Sequence, residues 1–368
     1  MKVPFSYLDR QFADVDGYLK DLKKLVQTGD FTLGTPLAEF EREFAQYCCL
    51  PHAIGVASGT DALILIMKLL GIGIGDEVIT TPMTFIATVG AIAMTGATPV
   101  FVDSNNGFVI DADQIEDSIT SKTKAILPVH YTGNVADMPR ISEISEKYNL
   151  ILIEDACQAI GASIDENPVG SWGVAAAYSL HPLKNLNVWG DGGVILTQSA
   201  EFADRLRLYR NHGLVNRDYA VVFGHNSRLD TIQAVIGNRL IKEFDIITEK
   251  RIENAQRYDL AFAELDGFIS IPQRSSRIKN VYHLYMIRVK NRDDLLQHLQ
   301  QCGVEAKIHY PTPVHMQEAA AYLGYKKGDF PVCELDCQNI ITLPAHQHLT
   351  EEEINYTIEQ VMSFYYRF

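Results

Sequence analysis

The sequence predicts an α/β protein in which helices cover both faces of a sheet, joined to a smaller C-terminal α+β domain. Three observations carry this. After "HAIGVASGTDALILIMKLLGI" the chain alternates short apolar runs ("EVITT", "TPVFVD", "KAILPVHY", "LILIED") with stretches of helical period, "TFIATVGAIAMTG" and "MPRISEISEKYN". From about residue 235 the pattern changes to one long helical stretch, "QAVIGNRLIKEFDIITEKRIENAQRYDLAFAEL", then a strand-like "VYHLYMIRVK", the helix-like "RDDLLQHLQQCG" and a final helical "TEEEINYTIEQVMSFYYRF". Gly and Pro are scattered as punctuation, with no repeat, low-complexity segment or linker, so the two domains should be in close contact. The expected bounds are 1–240 for the large domain and 241–368 for the small one. In a sheet of short apolar strands bounded by polar turns, ligands collect at the carboxyl ends, so chemistry is sought just after each strand.

Composition narrows the function classes. A chain of 368 residues, 47% hydrophobic and 21% charged, can bury a large core. Its 32 Lys and Arg against 46 Asp and Glu leave a net charge of −14, and no basic cluster tracks a phosphate backbone, so no nucleic-acid partner is expected. The six cysteines are too few for a disulfide scaffold, and the Cys333/Cys337 pair lacks a second Cys/His pair at zinc-finger spacing. They read as reduced thiols of a cytoplasmic protein with no metal site. "MKVPFSYLDRQF" has no apolar signal core and no apolar run reaches membrane-spanning length, so no membrane partner is expected.

Three segments carry the chemistry. "LILIEDACQAIGA" delivers Glu154 and Asp155 to a strand's carboxyl end with Gln158 in the following turn. Alone, such an Asp fits a helix or turn cap better than a catalytic role. About thirty residues on, "AAAYSLHPLKNLNVWGDGGVILT" is a small-residue strand that ends at Ser179 and then presents His181 and Lys184, flanked by alanines and a Gly turn that imply close packing around an inward lysine. A desolvated lysine has a depressed pKa and attacks aldehydes. An acid aimed at a pyridine nitrogen and a lysine that forms a Schiff base are together what pyridoxal phosphate (PLP) requires. "VASGTDALIL" supplies the third part: Ser58, Gly59 and Thr60 precede an apolar helix whose free N–H groups can hold a phosphate, although an ordinary N-cap has the same appearance; Ser179 could add a hydroxyl, and Phe85, which taken singly fits the core better, could stack on the ring.

With these residues in place, the chain resembles the sugar aminotransferases of the DegT/DnrJ/EryC1/StrS family over nearly its full length. The matching blocks, in order, are "GDFTLGTPLAEFEREFAQY", "GVASGTDALILIMKLLGIGIGDEVITTPMTFIAT", "GATPVFVD", "ILPVHYTGNVADM", "LILIEDACQAIGA", "YSLHPLKNLNVWGDGGVILT", "GHNSRLDTIQAVIG" and "GVEAKIHYPTPVH". The resemblance implies PLP-dependent transferase fold type I, with a mixed, mostly parallel seven-stranded sheet in the large domain. It makes Lys184 the cofactor-bearing lysine, Asp155 the partner of the pyridine nitrogen, Gln158 a hydrogen-bond partner of the ring hydroxyl and Phe85 the stacking residue. The phosphate falls to Gly59, Thr60 and Ser179, and to Asn226 reaching across from a second subunit, which implies a homodimer with shared sites. His181, His309 and Tyr310 are expected on the substrate side; a packed structural histidine fits His181 as well. Cys157 is expected to pack. "YTGN" (131–134) and Trp189 depart from the usual pattern and are expected near the substrate.

The implied reaction is a two-step transamination with L-glutamate as donor, glutamine second, and a nucleotide-linked keto sugar as acceptor, Lys184 moving the proton. Alternatives are a keto-cyclitol or free keto sugar as acceptor, a PLP-dependent sugar dehydratase, in which a histidine would replace the lysine, and a non-catalytic regulatory homologue on the same fold.

Overall fold

The computed structural model describes residues 1–366; Arg367 and Phe368, the end of the final helical run, lie outside the described residues. Seven strands form the large sheet: β1 (His52–Val56), β2 (Glu77–Thr80), β3 (Thr98–Phe101), β4 (Thr123–Ile126), β5 (Ile151–Asp155), β6 (Ala175–Ser179) and β7 (Gly193–Thr197). Their spatial order is β1-β7-β6-β5-β4-β2-β3, with every pairing parallel except those of β7, which runs antiparallel to both neighbours. β6 and β7 are buried at every position, as expected of strands covered on both faces. Beyond β4 the pairing lapses at Pro128, which has no N–H to give, and resumes as a bridge between Val129 and Asp155.

The helices cover the sheet as two layers. Leu63, Ile66 and Met67 of α2 (Gly59–Leu69) pack with Ile54, Ile153 and Ile195 of the strands on one face. On the other, Phe40 and Phe44 of α1 (Thr35–Tyr47) pack with Tyr178, Val194 and Leu196. α2 is buried nearly all round because α3 (Ile86–Thr95) lies against it as well, which explains its almost uniformly apolar sequence. Its first residue shows why β6 is built of small side chains. A Cβ on Gly59 would stand 2.7 Å from Cys157 Sγ and 2.9 Å from Ser179 Cβ, so only glycine lets the helix start this close to the strand ends.

The long helical run splits in two. α4 (Thr231–Leu240) and α5 (Phe244–Phe262) are separated by a tight turn at Ile241–Glu243, where Glu243 leaves helical geometry (φ −105°, ψ 4°) and Ile241 and Phe244 both enter the core. The small domain follows: a three-stranded antiparallel sheet in which β9 (Tyr285–Val289) lies between β8 (Ile269–Ser270) and β10 (Ile340–Leu343). α5, α6 (Arg292–Gln301) and α7 (Glu351–Tyr365) pack on it through Tyr258, Leu299 and Val361. Val3 belongs to this core too, its N–H bonded to Gly303 O at 2.8 Å, so the first residues of the chain run along the small domain rather than the large one.

Candidate active site

The carboxyl ends of β5 and β6 and the start of α2 face the small domain across a cavity of about 340 Å³. Of the eleven residues expected at the site, ten line it: Lys184, Asp155, Gln158, Gly59, Thr60, Phe85 and Ser179 from the large domain side, His181 beside the lysine, and His309 and Tyr310 from the segment after α6. Asn226 does not. It is exposed on the surface of its own chain, where it bridges to Asn211.

Lys184 stands in the turn after β6, its N–H bonded to His181 O at 2.8 Å. Its Nζ has no hydrogen-bond or ion-pair partner among the described residues. Desolvation pushes its pKa below the ordinary lysine value, opposed by the nearby Cys157 sulfur and Asp155 carboxyl group. The shift is toward the neutral amine that a nucleophile needs. The neighbouring Cys157 thiol is pushed well above its usual range by burial and by Asp155, so it is a protonated packing group rather than a thiolate.

Asp155 is fixed at both oxygens. Thr88 Oγ1 donates to Oδ2 at 2.7 Å, and the Cys157 N–H donates to Oδ1 at 3.1 Å. Thr84 extends the chain, 2.8 Å from Thr88. Gln158 is oriented in the same way: its Oε1 accepts from the Thr132 N–H at 2.8 Å, which leaves its NH₂ as a donor on the cavity side. The adjacent carboxylate does something else. Glu154 is fully buried and accepts from the N–H groups of Gly170, Trp172 and Gly173 at 2.8 to 2.9 Å while pairing with His130, so it is a structural anchor facing away from the cavity.

The start of α2 is a ready anion site. Ser58 caps it by accepting from the Asp61 N–H at 3.0 Å, while the Gly59 and Thr60 N–H groups keep no partner in the helix. Ser179 Oγ is beside them. These features fit a phosphate, an aldehyde-reactive amine fits an aldehyde, and Asp155 fits a ring nitrogen at the far end; the residues present suit PLP.

The opposite wall is rich in imidazole. His309 is pushed down to about 4 by burial and by Lys307 and Lys184, and its Nδ1 lies 3.0 Å from Thr342 Oγ1. Burial raises Tyr310 to about 12; its ring centroid is 5.8 Å from that of Phe85. His181 is exposed at the rim, its Nδ1 accepting from the Leu183 N–H at 3.4 Å.

Among the lining residues that the sequence did not single out are Tyr7, Arg251, His283 and His346, along with the Thr84 and Thr88 that hold Asp155. Arg251 and His346 are 2% exposed, and each keeps one buried nitrogen without a partner, Nη2 and Nδ1. His283 is pushed well below its usual value by burial and nearby cations and pairs with Asn185 Oδ1 at 3.2 Å. The only local signal was a histidine inside the strand-like "VYHLYM"; Arg251 looks like any surface residue of its helix. Two expectations are corrected. Trp189 does not border the cavity; its ring packs 5.5 Å from those of Phe12 and Tyr18. Tyr131 is fully buried behind the wall and donates to His309 O at 2.7 Å, so the "YTGN" segment supports Gln158 and His309 instead of facing a substrate. Gly133 closes that support: with φ +92°, a Cβ there would meet the main-chain nitrogens of His283 and Tyr282 at 2.9 Å.

The family model described as "DegT/DnrJ/EryC1/StrS aminotransferase family" matches residues 14–362. The chain belongs to this family. It is 40% identical over 371 residues to a "Pleiotropic regulatory protein" of Geobacillus stearothermophilus, covering 100% of both chains. It is 38% identical to the dTDP-3-amino-3,4,6-trideoxy-alpha-D-glucose transaminase of Streptomyces venezuelae, covering 98% of this chain and 95% of that one. The crystal structure of NtdA from Bacillus subtilis with bound cofactor PMP superposes with a TM-score of 0.92 at 35% identity, covering 98% of this chain and 85% of that one. No helix among the described residues is long and apolar enough to cross a membrane, and all six cysteines are free.

Proposed function

We infer that this protein is a PLP-dependent transaminase that moves an amino group from L-glutamate to a keto sugar, most directly one linked to a nucleotide diphosphate. One observation carries the reading: a desolvated lysine without a partner shares its cavity with a doubly anchored aspartate and an open helix N-terminus. Bound there, PLP supplies the aldehyde carbon and the electron sink for amino exchange.

The chain's own residues do the rest. The Gly59 and Thr60 N–H groups, the Thr60 hydroxyl and Ser179 Oγ bind the phosphate. Asp155, held by Thr88 and the Cys157 N–H, keeps the pyridine nitrogen protonated. Gln158, oriented by the Thr132 N–H, would donate to the ring hydroxyl, and Phe85 would supply an aromatic face for the ring. Lys184 Nζ takes the proton from the donor's α-carbon and returns one to the acceptor. Arg251, a guanidinium on the cavity wall whose buried Nη2 has no hydrogen-bond partner, suits an anionic group on the donor or the acceptor. The transaminase name of the Streptomyces relative supports the same substrate class. The intact Lys184 site argues against both the dehydratase and the regulatory readings, the second of which the Geobacillus relative's name would otherwise favour.

The reading includes a cytoplasmic homodimer in which Asn226 completes the phosphate site of its partner. The exposed hairpin that precedes Asn226 supports this: Tyr219, Val221, Val222 and Phe223 leave apolar surface open in the single chain, Phe223 entirely so. Free thiols throughout suit a reducing compartment.

The test is the absorbance of the purified protein between about 300 and 450 nm, before and after L-glutamate, beside Lys184→Ala. A visible band that moves to shorter wavelength on adding glutamate, and is absent as such in the variant, is the expected result. No bound chromophore after incubation with PLP would remove the transaminase reading and put the regulatory one ahead.

A further inference from the structure

The main-chain carbonyl of Lys184 is the end of a polar chain, half-buried at Gln11 and Gln347, that crosses three parts of the molecule. It accepts from Tyr7 Oη at 2.9 Å and from Asn187 Nδ2 at 2.9 Å. Asn187 Oδ1 accepts from Gln11 Nε2 at 2.8 Å, and Gln11 Oε1 accepts from Gln347 Nε2 at 2.9 Å. Gln347 Oε1 accepts from Arg251 Nε at 3.0 Å. The loop closes on itself, because the Arg251 guanidinium lies 5.2 Å over the Tyr7 ring. Tyr7, Asn187 and Arg251 are almost wholly buried.

The direction of this chain is set by its two ends. A guanidinium only donates, so Arg251 forces Gln347 to present its oxygen, and each amide in turn must donate onward. A main-chain carbonyl only accepts, so the sequence of donors stops at Lys184. Neither end allows the amides to flip, and a broken link leaves an unpaired polar group at the buried members, Asn187 and Arg251. Arg251 is in turn tied to the small domain, donating through Nη1 to Tyr282 O at 3.2 Å. The lysine turn, the N-terminal segment and the small domain are thereby locked to one another at the residue whose side chain must reach the reacting carbon.

We propose that this Arg251–Gln347–Gln11–Asn187 chain, together with the Tyr7 hydroxyl, positions Lys184 for proton transfer. The proposal rests on the transaminase reading above. Tyr7, Gln11, Asn187, Arg251 and Gln347 are positioning residues: they act through the Lys184 main chain and do not themselves handle the proton. The chain also makes the seat of the small domain a determinant of where Lys184 Nζ stands, since Arg251 and Gln347 both belong to that side of the molecule.

The variants are Gln347→Glu, which still accepts from Arg251 but cannot donate to Gln11, and Tyr7→Phe, which keeps the ring under Arg251 and deletes the hydroxyl. In the holoenzyme each should slow the glutamate half-reaction on the order of tenfold, with glutamate KM changed by less than about twofold, and weaken the visible circular dichroism of the bound cofactor. In the cofactor-free protein each should speed amide hydrogen exchange in the 180–189 segment, a readout independent of catalysis. Half-reaction rate, dichroism and exchange all as in the wild type would overturn the proposal. So would a Gln347→Glu protein that behaves as wild type in all three, because anchoring Arg251 alone would then suffice. A wild type that binds no PLP sinks the transaminase reading instead, while the exchange measurement still decides whether the chain holds the lysine turn. If one variant does not fold, the other carries the test.

Discussion

On the large-domain wall of the cavity Asp155 and Gln158 take defined hydrogen bonds from Thr88, the Cys157 N–H and the Thr132 N–H, whereas on the small-domain wall Arg251 Nη2 and His346 Nδ1 are buried with no partner at all. The first wall is finished: its polar groups are satisfied, and the open donors that remain are those that suit a phosphate and a ring. The second is unfinished in the free chain, with neutral imidazoles and a buried guanidinium whose Nε and Nη1 are bonded but whose Nη2 is left open to an anionic ligand. The difference teaches that cofactor binding is preorganised while substrate recognition is left adjustable, as one catalytic centre serving two unlike substrates requires.

The sharpest way to break that comparison is at Asp155. Asp155→Ala should lower the glutamate half-reaction by about 10³-fold, since it removes charge from a fixed, water-poor position, and single-turnover absorbance traces would measure it. A loss no larger than that of a small-domain variant would mean that the two walls do not differ as described. Gly59→Ala comes next. The new methyl would overlap Cys157 Sγ and Ser179 Cβ, so PLP affinity should fall and stability drop by about 1–3 kcal/mol, read from PLP titration and denaturant unfolding.

On the other wall, His309→Ala should raise the KM for the sugar acceptor about tenfold and leave the glutamate half-reaction within about twofold. Equal damage to both half-reactions would place His309 with the cofactor machinery. The smallest effect concerns pH. His309 is held down to about 4 and His346 to about 3, chiefly by burial, so the unfolded chain takes up these protons near the ordinary 6.5 while the folded chain does not. The unfolded state therefore binds more protons in this range, and stability should decline as the pH is lowered from about 6.5 towards 4, as a falling Tm followed by calorimetry. His309→Phe, which has nothing to titrate, should flatten the slope.

Much of this molecule was legible before its structure. Strand-then-helix alternation gave the large sheet because parallel strands covered on both faces must be continuous apolar runs, and the residues at their carboxyl ends, Asp155, Ser179 and Lys184, lie where such a topology gathers ligands. Local sequence also carried the open start of α2, since capping and the apolar run after it are short-range properties. The break at Ile241–Glu243 was not legible: each half is a good helix, and only the packing of Ile241 and Phe244 says where the chain must turn.

What the sequence by itself determined, then, was the cofactor wall, because its residues sit within a few positions of strand ends and helix starts and their chemistry follows from that local placement. What only the tertiary structure decided was the substrate wall and the polar chain behind Lys184. Tyr7, Lys184, Arg251 and Gln347 are far apart in the sequence and look ordinary where they stand. Their roles come from burial and from hydrogen bonds that exist only once the N-terminal segment and the small domain close over the sheet.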